Sequence, residues 1–369
     1  MSDNIPLVDL KLQHARVAAE VLEGFDRVLQ NTSFILGPEA ETFERAYADY
    51  CGVAHCVGVG NGTDAIELAL RACDIGPGDE VIAPANTFVA TAGAIARTGA
   101  TLKLVDCDEN FLIDASLIPA AITSRTKAIV PVHLYGQLAP MAAVAEAAGD
   151  LLVIEDAAQS QGARQHGRRS GSIGKVAATS FYPGKNLGAY GDAGGVTTDD
   201  DAIHQRLLRL RNHGGIRKYE HLEIGVNSRL DGLQGVVLAT KLARLDDWNA
   251  ERQAAAARYG ELLADLPDVV LPQAAAGNEH VWHLYVVRVP RRDAVLANLN
   301  AAGIGAGIHY PAPVHLLPAF AGLGQGPGSF PVAERLAGEI LSLPIFPGIT
   351  DEQQNRVAGQ LRSALKETE

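Results

Sequence analysis

One lysine, Lys185, sits in the stretch SFYPGKNLGAYGDAGG (180–195), among glycines and a proline and just after a short apolar run. A Gly-Lys pair invites comparison with the phosphate loop of nucleotide-binding proteins, which needs Gly, four residues, then Gly-Lys-Ser/Thr. Here Thr179 holds the first glycine position and Asn186 follows the lysine. The pair Gly174-Lys175 fails in the same way, with Arg169 and Val176 at those places. The task of Lys185 must therefore come from its surroundings. Twenty-nine residues earlier, LLVIEDAAQS (151–160) closes an apolar run with Glu155 and Asp156. Acids at the carboxyl end of a buried strand face a ligand or cap the next helix. VGVGNGTDAIELAL (57–70) reads as strand, glycine turn and helix. The free N–H groups of that helix start, at Gly62 and Thr63, suit a phosphate, although a helix start without a ligand would look the same. Phe88 in NTFVATAG (86–93) opens another helix, as a core aromatic or as a ring offered to a ligand.

A lysine on a tight turn, a buried acid, a phosphate-sized helix start and an aromatic face together meet the needs of pyridoxal phosphate. Lysine forms a Schiff base with its aldehyde, an acid keeps the pyridine nitrogen protonated, and the phosphate fixes the ring. Of eight lysines in the chain, Lys185 is the one that follows a buried acid on the next strand-like run.

These residues need a scaffold. Between 54 and 200, apolar strand-like runs alternate with helical patterns. The runs are AHCVGVG, EVIAP, TLKLVD, KAIVPVHLYG, LLVIED and AATSFYP. Such alternation predicts βαβ units and an α/β fold with a large, mainly parallel sheet covered by helices on both faces. Ligands of such sheets bind beyond the strand carboxyl ends. Residues 229–266 read as one long helix. After it come a strand at 281–290, a helix at 291–303 and closing helices over 331–342 and 351–366. This predicts a large cofactor-binding domain over 1–246 and a smaller C-terminal α+β domain over 247–369.

Composition narrows the partners. The 369 residues carry a formal net charge of −12, with 47% hydrophobic and 20% charged residues. That charge argues against nucleic acid and against an anionic membrane surface. MSDNIPLVDL has neither a basic nor an apolar leader segment, so a cytoplasmic location is expected. Cys51, Cys56, Cys73 and Cys107 form no CxxC pair and no metal-ligand pattern, so no metal site is expected.

The segments EDAAQS, SFYPGKNLGAYGD, GVNSRLDGLQ and HVWHLYVVR resemble the DegT/DnrJ/StrS sugar aminotransferases, which are fold type I pyridoxal-phosphate enzymes. The resemblance runs from about 38 to 347. It implies transamination of a keto sugar carried on a nucleoside diphosphate, with L-glutamate as donor, pyridoxamine phosphate arising during turnover, and a homodimer with sites at the subunit interface. By matching motif, Lys185 would be the Schiff-base lysine and Asp156 the partner of the pyridine nitrogen. Gln159 would lie against the ring or its hydroxyl. Gly62, Thr63 and Ser180 would hold the phosphate, Phe88 would stack on the ring, and Asn227 would reach the phosphate from the other subunit. The family's dehydratases carry histidine in place of the lysine, so Lys185 favours transamination. FYPGKNLGA, HVWHL and IHYPAPVHLLPAF look most like the branch that aminates C3 of deoxythymidine-diphosphate 3-keto-6-deoxyhexoses. Gly232 departs from the family, where an acidic residue is frequent.

His309 and Tyr310 of GIHYP, with Tyr182 and Tyr219, are expected around the sugar. The loop Arg211-Asn212-His213-Gly214 with Arg217-Lys218-Tyr219 faces either the substrate diphosphate or solvent. His133 and Tyr135 are expected to pack. Two other readings remain at this point: an aminotransferase for a 4-keto or UDP-linked sugar, and a non-catalytic regulator that binds the same ligands. A lyase or desulfurase would call for a reactive cysteine near a strand end, and none is placed so.

Overall fold

The computed structural model describes residues 4–367. Seven strands form the central sheet: β1 (His55–Val59), β2 (Glu80–Pro84), β3 (Thr101–Val105), β4 (Thr126–Ile129), β5 (Leu152–Asp156), β6 (Val176–Ser180) and β7 (Gly194–Thr198), in the order β1-β7-β6-β5-β4-β2-β3. All neighbours pair in parallel except around β7, which runs antiparallel to both β1 and β6. The runs are apolar almost without a break because helices cover both faces. Alternate residues supply two separate cores. Val81, Ala83, Leu102, Leu104 and Ile154 face one way, and Ile82, Ile129 and Val144 pack on the other side. The fold is the expected α/β architecture.

A second core lies toward the C-terminus. Here β8 (Tyr285–Arg288) pairs antiparallel with β9 (Ile340–Leu343), and the helices Leu245–Leu263, Arg292–Ala301 and Asp351–Glu367 surround them. Tyr259, Val287, Leu299, Leu343 and Leu361 fill this core, and Ile5 joins it from the start of the chain. The expected boundary at 247 falls in the first turn of the helix Leu245–Leu263.

Local expectations needed three corrections. The long helix over 229–266 is two helices, Gly232–Leu242 and Leu245–Leu263. The chain turns at Ala243-Arg244, where Arg244 N–H bonds back to the Lys241 carbonyl at 2.9 Å. The closing helix at 331–342 stops at Glu339, and Ile340–Leu343 is strand β9. The apolar run at 281–290 contributes only Tyr285–Arg288 to a strand. Gly232, the departure from the family pattern, is explained by packing: a side chain there would collide with the Ser33 carbonyl.

Candidate active site

The carboxyl ends of the parallel strands open into a cavity of about 450 Å³. Its wall includes Gly62, Thr63, Phe88, Asp156, Gln159, Ser180, Tyr182, Lys185, His309 and Tyr310. Residues spread over nearly 250 positions of sequence thus meet where the fold predicts a ligand site.

Lys185 stands on the turn after β6. The turn is pinned by backbone bonds from Lys185 N–H to the Tyr182 carbonyl (2.8 Å) and from Ala189 N–H to the Phe181 carbonyl (2.8 Å). Gly188 passes against the Pro183 carbonyl, too close for any side chain. The lysine's Nζ makes no hydrogen bond or ion pair among the described residues. Burial pushes its pKa down to about 8, and the nearby Asp156 charge offsets part of that effect. It is an amine that loses its proton within reach of neutral pH, as a nucleophile and proton carrier requires.

Asp156 ends β5. It shares a strand face with Ile154, while Glu155 points to the opposite face. Asp156 accepts from Thr91 Oγ1 at 2.7 Å and from Ala158 N–H at 3.1 Å, and Thr91 pairs in turn with Thr87 at 2.7 Å. Burial raises the Asp156 pKa; the Thr91 hydrogen bond, the Ala158 N–H and the charge of Lys185 pull against it. A buried carboxyl of this kind gains from a cationic partner in the cavity, such as a protonated pyridine.

Glu155 has a different environment. It is fully buried and accepts from the N–H groups of Gly171, Ile173 and Gly174 at 2.7–2.9 Å. His133 Nδ1 accepts the Ala139 N–H at 3.2 Å, so its proton lies on Nε2, which donates to Glu155 at 2.8 Å. Burial alone would raise the Glu155 pKa; His133 and the backbone donors outweigh it and hold the carboxyl below its usual value. Glu155 and His133 are therefore structural; Tyr135 packs in the core on the Ile154 side, its hydroxyl donating to the His309 carbonyl.

The helix Gly62–Ala72 starts at the cavity rim. Asn61 caps it, its side chain accepting from Asp64 N–H at 2.8 Å. The first two N–H groups, those of Gly62 and Thr63, have no partner within the helix. A Cβ on Gly62 would lie 2.5 Å from Ser180 Cβ, so only glycine lets the helix start approach the end of β6. Backbone donors and the Ser180 hydroxyl form one anion cradle. Phe88 is 47% exposed, with its ring 4.9 Å from that of Tyr310. It is thus a cavity wall rather than a core aromatic. Gln159 donates to the Tyr310 hydroxyl at 3.0 Å and accepts from Tyr135 N–H at 2.7 Å. The His309 pKa is pushed down to about 4 by burial and by the Lys185 charge, and the Tyr310 hydroxyl is pushed up by burial.

Two expected residues are not brought to the cavity of their own chain. Tyr219 is 83% exposed on the loop after the helix Asp201–Leu210, and Asn227 bridges Asn212 on the same side. Of the basic loop, Arg211 turns inward, bonding Glu44 and, at 2.7 Å, the Gly58 carbonyl. The sequence assigns no role to several lining residues: Thr87, Thr91, His283 within HVWHL, and the N-terminal Leu7 and Val8. No group of three or more potential metal ligands exists among the described residues. Burial pushes all four thiols up, which removes a reactive cysteine.

The donor set suits pyridoxal phosphate: an anion cradle, an aromatic wall, a buried acid and an unpaired amine surround one cavity of sufficient size. The fold and this cavity are those of an aminotransferase that works with that cofactor. Residues 16–362 match the DegT/DnrJ/EryC1/StrS aminotransferase family, and the chain belongs to it. It is 48% identical over 361 residues to dTDP-3-amino-3,4,6-trideoxy-alpha-D-glucose transaminase of Streptomyces venezuelae, covering 97% of this chain and 95% of that one. Among solved structures, S. venezuelae DesV in complex with a ketimine intermediate superimposes with a TM-score of 0.96 at 48% identity, covering 98% of each chain. NtdA from Bacillus subtilis, solved with its cofactor PMP, gives 0.88 at 32% identity, covering 95% of this chain and 82% of that one.

Proposed function

We propose that this enzyme moves the amino group of L-glutamate to C3 of a 3-keto-6-deoxyhexose linked to deoxythymidine diphosphate. The observation that carries the reading is the meeting of Lys185 and Asp156 in one cavity with a backbone anion cradle. The 48% identity to a transaminase of a dTDP-linked 3-amino sugar supports the substrate class.

Bound there, pyridoxal phosphate supplies a carbonyl that takes up the amino group and a ring that takes up electron density from the carbon losing its proton. The chain's own residues do the rest. Gly62 and Thr63 N–H and Ser180 hold the phosphate, and Phe88 covers one ring face. Asp156, steadied by Thr91, keeps the ring nitrogen protonated, and Gln159 orients the ring edge. The Lys185 amine moves the proton, from the donor's carbon in one half-reaction and to sugar C3 in the other. Tyr182, His309 and Tyr310 line the side left for the sugar.

The working unit in this reading is a homodimer. The loop 213–224 exposes Ile216 (56%), Tyr219 (83%), Leu222 (78%) and Ile224 (87%). An apolar loop of this kind calls for cover by a second copy. Asn227, at the foot of that loop, would then serve the partner's phosphate, and Tyr219 the partner's sugar. A cytoplasmic location agrees with four free cysteines and with the lack of any membrane-crossing helix among the described residues.

The test is incubation with glutamate and, separately, dTDP-linked 3-keto, dTDP-linked 4-keto and UDP-linked 3-keto sugars, with product position read by NMR. Fastest turnover on the dTDP-linked 3-keto sugar is expected. Faster turnover of the 4-keto or UDP-linked sugar would overturn the substrate assignment. A protein that binds the cofactor, turns over none of them and keeps its cofactor absorbance unchanged on adding glutamate would be the non-catalytic regulator.

A further inference from the structure

Lys241 is a lysine inside the protein. It sits in the last turn of the helix Gly232–Leu242 and is 3% exposed. Its Nζ makes no ion pair among the described residues and donates to one acceptor, the Gly188 carbonyl, at 2.6 Å. It also lies 4.5 Å from the centroid of the Tyr190 ring, whose face attracts a cation. Burial pushes its pKa down to about 8. It is thus mostly an ammonium at pH 7, and its bond to Gly188 is charge-assisted. A charge taken out of water without a counter-ion is costly. Methionine has nearly the same length and none of that cost, so what lysine adds at this place is a donor.

The acceptor stands at the neck of the loop that carries Lys185. Phe181 and Ala189 face each other across that neck, where Ala189 N–H donates to the Phe181 carbonyl at 2.8 Å. The Gly188–Ala189 peptide therefore has its N–H tied to one side of the neck and its C=O tied to Lys241. No other group among the described residues donates to that carbonyl. Leu187 and Ala189 pack in one apolar cluster with Leu238 and Leu242. Packing fixes where the neck lies; the two hydrogen bonds fix how the peptide plane is turned, at a glycine that restricts it little. The next peptide is held by the same helix. Gln234, seven residues before Lys241 and on the same helix face, accepts from Tyr190 N–H at 2.8 Å. The loop thus enters from β6, is anchored in its middle by Asn186, which donates to Asn249 and to the Val281 carbonyl at 2.8 and 2.9 Å, and is anchored at its exit by Lys241 and Gln234.

We propose that Lys241 is a positioning residue for the reaction: by fixing the Gly188–Ala189 peptide it sets where the loop presents Lys185 to the cavity. Lys241 is outside the cavity wall, so it acts through Lys185 and touches neither cofactor nor substrate. The proposal rests on Lys185 being the reactive amine.

The test compares wild type with Lys241→Met, which keeps the side chain's length and removes its donor. In the apoprotein, hydrogen–deuterium exchange at the Ala189 amide, read by mass spectrometry, reports the neck. A buried carbonyl without a donor favours opening, so exchange there should become about 5- to 150-fold faster, with the helix Gly232–Leu242 unchanged. In the holoenzyme, both half-reactions are followed by stopped-flow absorbance per bound cofactor. A misplacement of about 1 Å costs about 100-fold, so kcat should fall about 10- to 100-fold in each, with KM for glutamate and for the sugar changed by less than about twofold. A lysine that only supports the fold would lower stability in urea and leave the rates per bound cofactor at the wild-type value; that result overturns the proposal, and so does unchanged exchange at Ala189. Should Lys241→Met fail to fold, NMR of wild type labelled with 15N in lysine and 13C in glycine carbonyls decides. A slowly exchanging Lys241 ammonium coupled to the Gly188 carbonyl supports the proposal, and one that exchanges with water as fast as the exposed Lys366 overturns it. Lys185→Ala is the control for the underlying reading. Full activity there would remove the lysine assignment, whereas an inactive Lys185→Ala beside an unaffected Lys241→Met would remove only the proposal.

Discussion

Thr91→Val isolates the hydroxyl that donates to Asp156. The swap keeps volume and branching at a fully buried position and removes a 2.7 Å hydrogen bond to a carboxylate. A hydrogen bond to a charged group contributes about 1.5–3 kcal/mol, and a neutral one about 1. Asp156 is an acid whose folded-state pKa is raised by burial. Ionising it therefore costs the folded apoprotein stability. That cost is absent below the unfolded pKa, grows as pH rises toward the folded value, and is complete above it. Thr91 favours the ionised form, so its removal raises the pKa further and deepens the cost at neutral pH only. The expected outcome is a loss of about 1.5–3 kcal/mol at pH 8 that shrinks to about 1 at pH 4, measured by urea denaturation of wild-type and variant apoprotein. Cofactor affinity, read by absorbance titration at pH 8, should change by no more than about threefold, because the Thr91 bond to an ionised Asp156 is lost alike with and without cofactor. An equal loss at both pH values would show Thr91 to be a packing residue with no hold on the charge of Asp156.

Three further outcomes follow from the same geometry. Gly62→Ala puts a Cβ 2.5 Å from Ser180 Cβ; relieving that overlap costs about 1–3 kcal/mol and should appear as weakened cofactor binding in the same titration, while unchanged affinity would remove the cradle. Asp156→Asn should keep the fold and the cofactor but slow the loss of glutamate's α-proton, so a stopped-flow rate per bound cofactor equal to wild type would contradict the role of the acid. Lys185→Ala and Asn227→Ala proteins, each poor alone, should regain about a quarter of wild-type activity after subunit exchange, since half the dimers are mixed and one of their two sites is whole; no recovery would place Asn227 outside the partner's site.

Lys185, Asp156 and Gly62 are legible in the sequence because each is a polar or glycine break at the end of an apolar strand, and the fold class already says that such breaks face the ligand. Thr91 is not legible. In VATAGAIAR it looks like an ordinary β-branched residue of a helix, and its importance arises only when that helix docks beside β5. Leu7 and Val8 reach the cavity because Ile5 bridges Ile304, a contact between the two ends of the chain that no local pattern records. Strand β7, GGVTT, carries no apolar run because two glycines pass close to neighbours; Gly194 lies against the Asn61 carbonyl where the helix Gly62–Ala72 begins. ILSL at 340–343 suits the end of a helix or a buried strand equally, and pairing with β8 decides it.

The alternation of Glu155 and Asp156 across β5 makes the strand a reading frame. Both residues are carboxylates, and only parity decides which becomes a caged structural anion and which meets the cofactor. Removing one residue from Leu152–Ile154 would leave composition and strand propensity almost untouched, yet would turn Asp156 toward the His133 cage and Glu155, one methylene longer, toward the cavity. This segment should therefore tolerate exchange of one apolar residue for another far better than any change in its length.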